Sequence, residues 1–104
     1  MGPYRVDFDK CQWEQPAGGV RFKAFVRDGR RLRLVEFGEG FREDDWCRKG
    51  HIGMVLQGRL EVEFDGQVVT FGAGDGVFIL AGEQGRHKAR VTAGPVRLVL
   101  VEDV

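Results

Sequence analysis

The sequence predicts an all-β domain, an antiparallel sandwich or barrel of about eight to ten short strands with no substantial helix. Three observations carry this. Apolar and polar residues alternate with a period of two in one short run after another. The 16 glycines, set against 3 prolines, fall singly between those runs, where tight turns are needed. Two of the breaks, Asp28-Gly29 and Asp65-Gly66, are Asp-Gly pairs of the kind that suit a two-residue hairpin.

Taken in order, residues 1–19 have no clear period. They read as an N-terminal arm in which Tyr4 and Trp13 lie across the domain, closed by Pro16 and Gly18-Gly19. Residues 20–104 read as a single domain. Val20 to Arg27 alternates, with Val20, Phe22, Ala24 and Val26 on one face. After Asp28-Gly29 the chain returns from Arg31 to Phe37, with Leu32, Leu34 and Glu36 on one side and Arg33, Val35 and Phe37 on the other. Phe41 to Gly50 is densely charged and without period, so it reads as a loop. His51 to Leu56 is apolar on both faces, as in a strand covered on two sides. Gln57-Gly58 reads as a turn, and Leu60 to Phe64 alternates with Leu60, Val62 and Phe64 inward. Gln67 to Phe71 returns after Asp65-Gly66, residues 72–76 turn, and Val77 to Leu80 is a short buried strand. Ala81 to Arg86 is a loop, His87 to Val91 a strand, Thr92 to Pro95 a turn, and Val96 to Val101 the last strand.

Composition excludes several classes. Basic and acidic residues are equal at 16 each, which removes the long-range field that draws a protein to nucleic acid or anionic lipid. The arginines at 27, 30, 31 and 33 are interleaved with acids and do not make a nucleic-acid patch. No apolar run is long enough to span a bilayer, and the N-terminus lacks the apolar stretch of a secretory signal. The expected location is the cytoplasm, with Cys11 and Cys47 as free thiols rather than a disulfide. Gly72-Ala73-Gly74-Asp75-Gly76 has a superficial likeness to a phosphate loop, but no helix follows and no lysine is placed for it.

At Val55-Leu56-x-Gly58-x-Leu60 and Gly74-Asp75-x-Val77-x-Ile79 the chain resembles a single-domain cupin over about residues 20–101. The family's first motif is His-x-His, a gap, Glu, and an apolar strand closing at glycine. Its second is Gly-Asp, an apolar strand, Pro-x-Gly, then His. The resemblance implies a small jelly-roll β-barrel, often dimeric, with a site in the barrel mouth. The metal ligands of that pattern are altered here. Counted back from Gly58, the Glu position falls on His51 and the His-x-His pair on Asp45 and Cys47. In the second motif Leu80 replaces proline, Gly82 matches, and the histidine position falls on Gly85, with His87 two residues on.

Two readings of this site stand side by side. In one, Cys47, His51 and His87, with Asp45 as a fourth or outer ligand, hold a divalent metal; thiolate and imidazole favour zinc, or iron if a position stays open. In the other the ligand set has decayed, with Cys47 a small buried hydrophobe and His51 a hydrogen-bonded interior residue. A Cys47 nucleophile activated by His51 is a further option. Arg86, Lys88, Arg48 and Lys49 would give a cationic mouth for a carboxylate or phosphate, Trp46 a stacking wall, and Gly53 room for a ligand. Ile52, Met54 and Leu56 face away from the barrel lining and would cover a second sheet or a dimer partner.

The functional expectation is a binding protein that takes a small polar or anionic molecule in the barrel mouth. The alternatives are a metal-dependent enzyme of dioxygenase or isomerase type using Cys47, His51 and His87, and a structural partner protein without ligand. A homodimer is expected, with no nucleic-acid or membrane partner.

Overall fold

A computed structural model describes residues 4–104; the first three residues of the expected arm lie outside it. Apart from a single 3-10 turn at Phe8–Lys10, the regular structure is strand. In chain order the strands are β1 (Glu14–Ala17), β2 (Val20–Arg27), β3 (Arg30–Phe37), β4 (His51–Phe64), β5 (Gln67–Gly72), β6 (Gly76–Ile79) and β7 (His87–Asp103). They form one 7-stranded sheet in the order β1-β2-β3-β7-β4-β5, with β6 paired to β4. Every pairing is antiparallel, which agrees with a jelly-roll fold.

Local chemistry accounts for these elements. The β2–β3 hairpin turns at Asp28 and Gly29, both at positive φ (50° and 76°), the signature of a type I′ turn. The two apolar runs expected on either side of Gly58 are one continuous strand. Gly58, at φ 84°, makes a bulge where the register against β7 shifts between Val55 and Leu60. A side chain there would run into the Pro95 carbonyl. The Thr92–Pro95 break is likewise a distortion inside β7. Bulges let one long strand serve both halves of the sheet, so sequence punctuation that looks like a turn is here a bend.

The sheet wraps around one apolar interior. Val35, Val55, Leu60, Val62, Val77, Val96, Leu98 and Leu100 form its core, with Phe22, Phe37, Phe41, Phe64 and Phe71 packed against them. The charged segment between β3 and β4 is not free of the sheet. Val91 N–H donates to the Phe41 carbonyl (2.9 Å), Glu43 N–H to the Ala89 carbonyl (2.9 Å), and Cys47 and His87 exchange backbone bonds of 2.8 and 2.9 Å. The segment follows the first half of β7 as an irregular edge. No helix among the described residues is long and apolar enough to cross a membrane.

Candidate metal centre

Three segments converge at one end of the interior. His51 opens β4, His87 opens β7, and Cys47 is fixed beside His87 by their reciprocal backbone bonds. The Cys47 Sγ and the ring nitrogens of His51 and His87 lie within 4.8 Å of one another. His51 Nε2 is 3.8 Å from Sγ, and the two imidazoles meet edge to face at 5.2 Å.

The far side of each ring is occupied. His51 Nδ1 lies 2.6 Å from Glu102 Oε2, and His87 Nδ1 lies 2.8 Å from the Gly85 carbonyl. A carboxylate and a carbonyl only accept, so both Nδ1 atoms carry the hydrogen. Each neutral ring then has its lone pair on Nε2. This is the arrangement in which an outer acceptor fixes the tautomer of a metal-binding histidine.

Glu102 is the hub behind the cluster. It is only 5% exposed. It also accepts from Arg33 Nε at 2.6 Å and Nη2 at 2.5 Å, and from Arg31 Nε at 3.1 Å. Burial pushes its carboxyl up, but the hydrogen bonds from His51 and Arg33 and their charges outweigh burial and hold it at about 2. The hydrogen bonds with His51 and then His87 bring the Cys47 thiol down to about 5, against the opposing pull of burial. Burial lowers His51, but Cys47 and Glu102 more than compensate and raise it to about 9. His87 is also raised, burial being outweighed by Cys47 and the Gly85 carbonyl. Without a metal, the cluster is therefore a thiolate–imidazolium pair backed by a carboxylate. Glu43, whose carboxylate accepts from Ala89 N–H at 3.0 Å, is raised mainly by burial.

The cluster borders an interior cavity of about 260 Å³. Val35, Phe37, Phe41, Leu60, Val62, Phe71 and Leu98 form much of its wall, and Arg31, Arg33, Glu43 and Lys49 give it polar points. Arg31, Lys49 and Ile79 also line a larger outer groove of about 640 Å³, so these three side chains are shared between the two spaces.

The sequence-predicted residues divide accordingly. Cys47, His51 and His87 come together. Asp45 is exposed and outside the cluster. Trp46 does not line the cavity; it lies under Arg86 and Lys88, at 4.7 and 4.5 Å from its ring centre, which holds those cations away from the interior. Arg48 lines the outer groove and is paired to Glu83 at 2.5 Å. Gly53 does not open the cavity. A Cβ there would collide with the Val99 carbonyl, so this glycine serves the close approach of β4 to β7. Cys11 and Cys47 are both free thiols. Sequence reasoning missed Glu102, Glu43 and the inward direction of Arg31 and Arg33. The signal was parity: Glu102 continues the buried alternation of Leu98 and Leu100, and an acid in that series asks for a cationic partner on the next strand.

Among solved structures, a protein of unknown function from Rhizobium leguminosarum is similar over 99% of this chain and 98% of its own, with TM-score 0.79 and 21% identity. An RmlC-like cupin from Shewanella frigidimarina is similar over 99% and 93%, with TM-score 0.78 and 17% identity. The polyketide cyclase RemF from Streptomyces resistomycificus is similar over 95% and 78%, with TM-score 0.75 and 20% identity. At these identities the likeness is one of fold. No curated protein matches the chain in sequence. The model of the cupin domain matches residues 33–102, a span that holds both altered motifs and all three cluster residues, and the chain therefore belongs to the cupin family.

Proposed function

We propose that this protein is a small metal-binding cupin in which Cys47, His51 and His87 hold a divalent ion, zinc or iron, beside a cavity that takes a small anionic ligand. One observation carries the reading. Both histidines have Nδ1 committed to an acceptor, which turns both Nε2 atoms and the Cys47 sulfur toward one another, with both Nε2 lone pairs available once His51 gives up its proton. That donor set suits a borderline-soft ion, and three protein ligands leave a position open. A bound metal there supplies Lewis acidity.

The chain's own residues support an anionic ligand. Arg31, Arg33 and Lys49 on the cavity wall balance Glu43, the Cys47 thiolate and Glu102 behind the cluster charge for charge once His51 is neutral, so a divalent ion leaves surplus positive charge. Arg31 and Lys49 stand where a carboxylate would enter, and the apolar wall favours a ligand with a compact apolar body. The free thiols fit a reducing, cytoplasmic setting.

The test is metal analysis of protein purified without a metal-affinity tag. Near-stoichiometric zinc or iron in the wild type, lost in Cys47→Ser and His51→Ala, is the expected result. A folded wild type that neither retains nor takes up either metal sinks the reading. Small carboxylates, but not their amides, should raise the melting temperature of the metal-loaded protein.

A second reading is favoured by the same alignment. Cys47, His51 and Glu102 stand in the order nucleophile, base and orienting acid. Metal-free protein that hydrolyses activated esters through Cys47, with activity lost in Cys47→Ser, would support it over the metal centre.

A further inference from the structure

We propose that Glu43 selects the ligand of the interior cavity: the ligand is a carboxylic acid with a hydroxyl group on its chain, and Glu43 accepts the hydrogen of that hydroxyl. The proposal rests on the anionic-ligand reading and adds a second point of recognition to it. Glu43 belongs to the irregular edge between β3 and β4. Its N–H donates to the Ala89 carbonyl, and its Oε1 accepts from the Ala89 N–H at 3.0 Å. One residue thus takes both backbone groups of Ala89, which fixes the Glu43 side chain on the cavity wall. Only one carboxylate oxygen is used in this way. Oε2 has no hydrogen-bond partner among the described residues.

The rest of the wall makes that oxygen conspicuous. Apart from Arg31, Arg33, Lys49, Glu43 and the cluster, every side chain lining the cavity is apolar, and Glu43 is the one acid among them. The cations only donate. Arg31 holds Glu102 through Nε and Nη2, which leaves Nη1, and the Lys49 ammonium has no ion pair among the described residues. These donors meet the carboxylate of the ligand. Glu43 Oε2 only accepts, so it has no part in binding a carboxylate and calls for a donor elsewhere on the same molecule.

Position and charge choose the donor. Glu43 is close enough to the cluster to feel the charges of Cys47, His87 and His51, so whatever it binds lies beside the ion held there. An ammonium in that place is repelled by a divalent ion, whereas a hydroxyl is neutral. An oxo group has no hydrogen to give and sets its lone pairs against those of Oε2. A site with a desolvated acceptor discriminates strongly against an analogue that lacks the matching donor, because the acceptor is then left unpaired.

Titration calorimetry of zinc-loaded protein at about pH 8 tests this, with pentanoate and with pentanoates carrying a hydroxyl, an oxo or a methoxy group at successive chain carbons. The best hydroxy acid should bind at least ~10-fold more tightly than the plain acid, and its oxo and methoxy counterparts should lose that gain. Glu43→Gln keeps an oxygen for the Ala89 N–H and puts an N–H donor in place of Oε2. The ratio of oxo-acid to hydroxy-acid affinity should then rise by ~10-fold or more, a change that a Glu43 serving only to hold Ala89 would not produce. Asp44→Asn, at an exposed neighbour outside the cavity wall, should keep the wild-type order. Equal binding of plain, hydroxy and oxo acids by the wild type, or an unchanged ratio in Glu43→Gln, overturns the inference and leaves the anionic-ligand reading standing. Binding of no acid in the set overturns both. Should Glu43→Gln fail to fold, the wild-type contrast between the hydroxy acid and its methyl ether decides, and equal affinities there overturn the inference.

Discussion

Replacing Glu102 by glutamine should destabilise the protein by about 3 kcal/mol near neutral pH, and the penalty should vanish in acid. Glutamine keeps the shape and one acceptor oxygen but removes the charge that Arg31, Arg33 and His51 share. The magnitude comes from linkage. The carboxyl sits at about 2 in the folded chain against an ordinary 4.5, and at ~1.4 kcal/mol per tenfold change in proton affinity that gap is worth roughly 3 kcal/mol. Its side chain is only 4% exposed, so solvent screening takes little away. Breaking a buried pair by removing one partner typically costs a similar ~3–5 kcal/mol. Because the unfolded chain takes up the proton first, this stability is complete above about pH 4.5 and drains away as the pH falls toward 2. Urea unfolding of metal-free wild type and Glu102→Gln at about pH 7, 4 and 3 measures it. A difference below ~0.5 kcal/mol at neutral pH, or one that does not shrink between pH 4 and 3, refutes the placement of Glu102 as the charged hub.

Three further outcomes follow from the same geometry. Because His51 is held at about 9, zinc binding near pH 7.5 should release about one proton from it, seen by calorimetry in buffers of different ionisation enthalpy, and affinity should rise with pH up to about 9. In a Cys11→Ser background, alkylation of metal-free Cys47 by iodoacetamide should show a midpoint near 5, far below an ordinary thiol's, and bound metal should abolish it. Gly53→Ala should destabilise by ~2 kcal/mol or more, because the new methyl meets backbone of β7 that cannot move aside, whereas Gly66→Ala, at an open turn with φ 84°, should cost only the ~1 kcal/mol of its conformation.

Much of the fold was legible because strand periodicity is a local property. The β2–β3 hairpin follows from Asp28-Gly29 and alternation alone, and the inward series Leu60, Val62, Phe64 holds in the structure. What local reading could not show was continuity. Gly58 and the Gly94-Pro95 pair carry turn chemistry, yet each lies within a long strand, because pairing partners decide whether a break becomes a turn or a bulge. The site was half legible for a similar reason. Cys47, His51 and His87 are the reactive residues that a motif comparison picks out. Glu102, Arg31 and Arg33 act only as a set from two paired strands, at Arg31–Glu102 and the adjacent Arg33–Leu100, and a single strand read alone offers no reason to bury a charge.

The displaced histidine shows why an altered motif need not be a lost site. The family position falls on Gly85, and His87 stands two residues on. The shift carries the histidine out of the turn that precedes β7 and onto that strand's first residue, where its side chain is buried. It also moves the histidine onto the pairing with Phe64 and the bridge to Cys47. Gly85 then keeps a part: its carbonyl holds His87 Nδ1, and a side chain at that position would strike the Leu80 carbonyl. The exchange on β4 has the same character. Histidine replaces the acid at position 51, and an acid reappears behind it as Glu102, from the far end of β7. The charge removed from position 51 returns behind the ring, where it sets the His51 tautomer. Cys47, whose thiol both histidines draw down, brings an anionic group to the cluster in place of an acid at position 51. The cluster thus presents one anionic and two imidazole groups where the family pattern has one acid and three histidines, with an acceptor behind each ring although every position of the motif has changed.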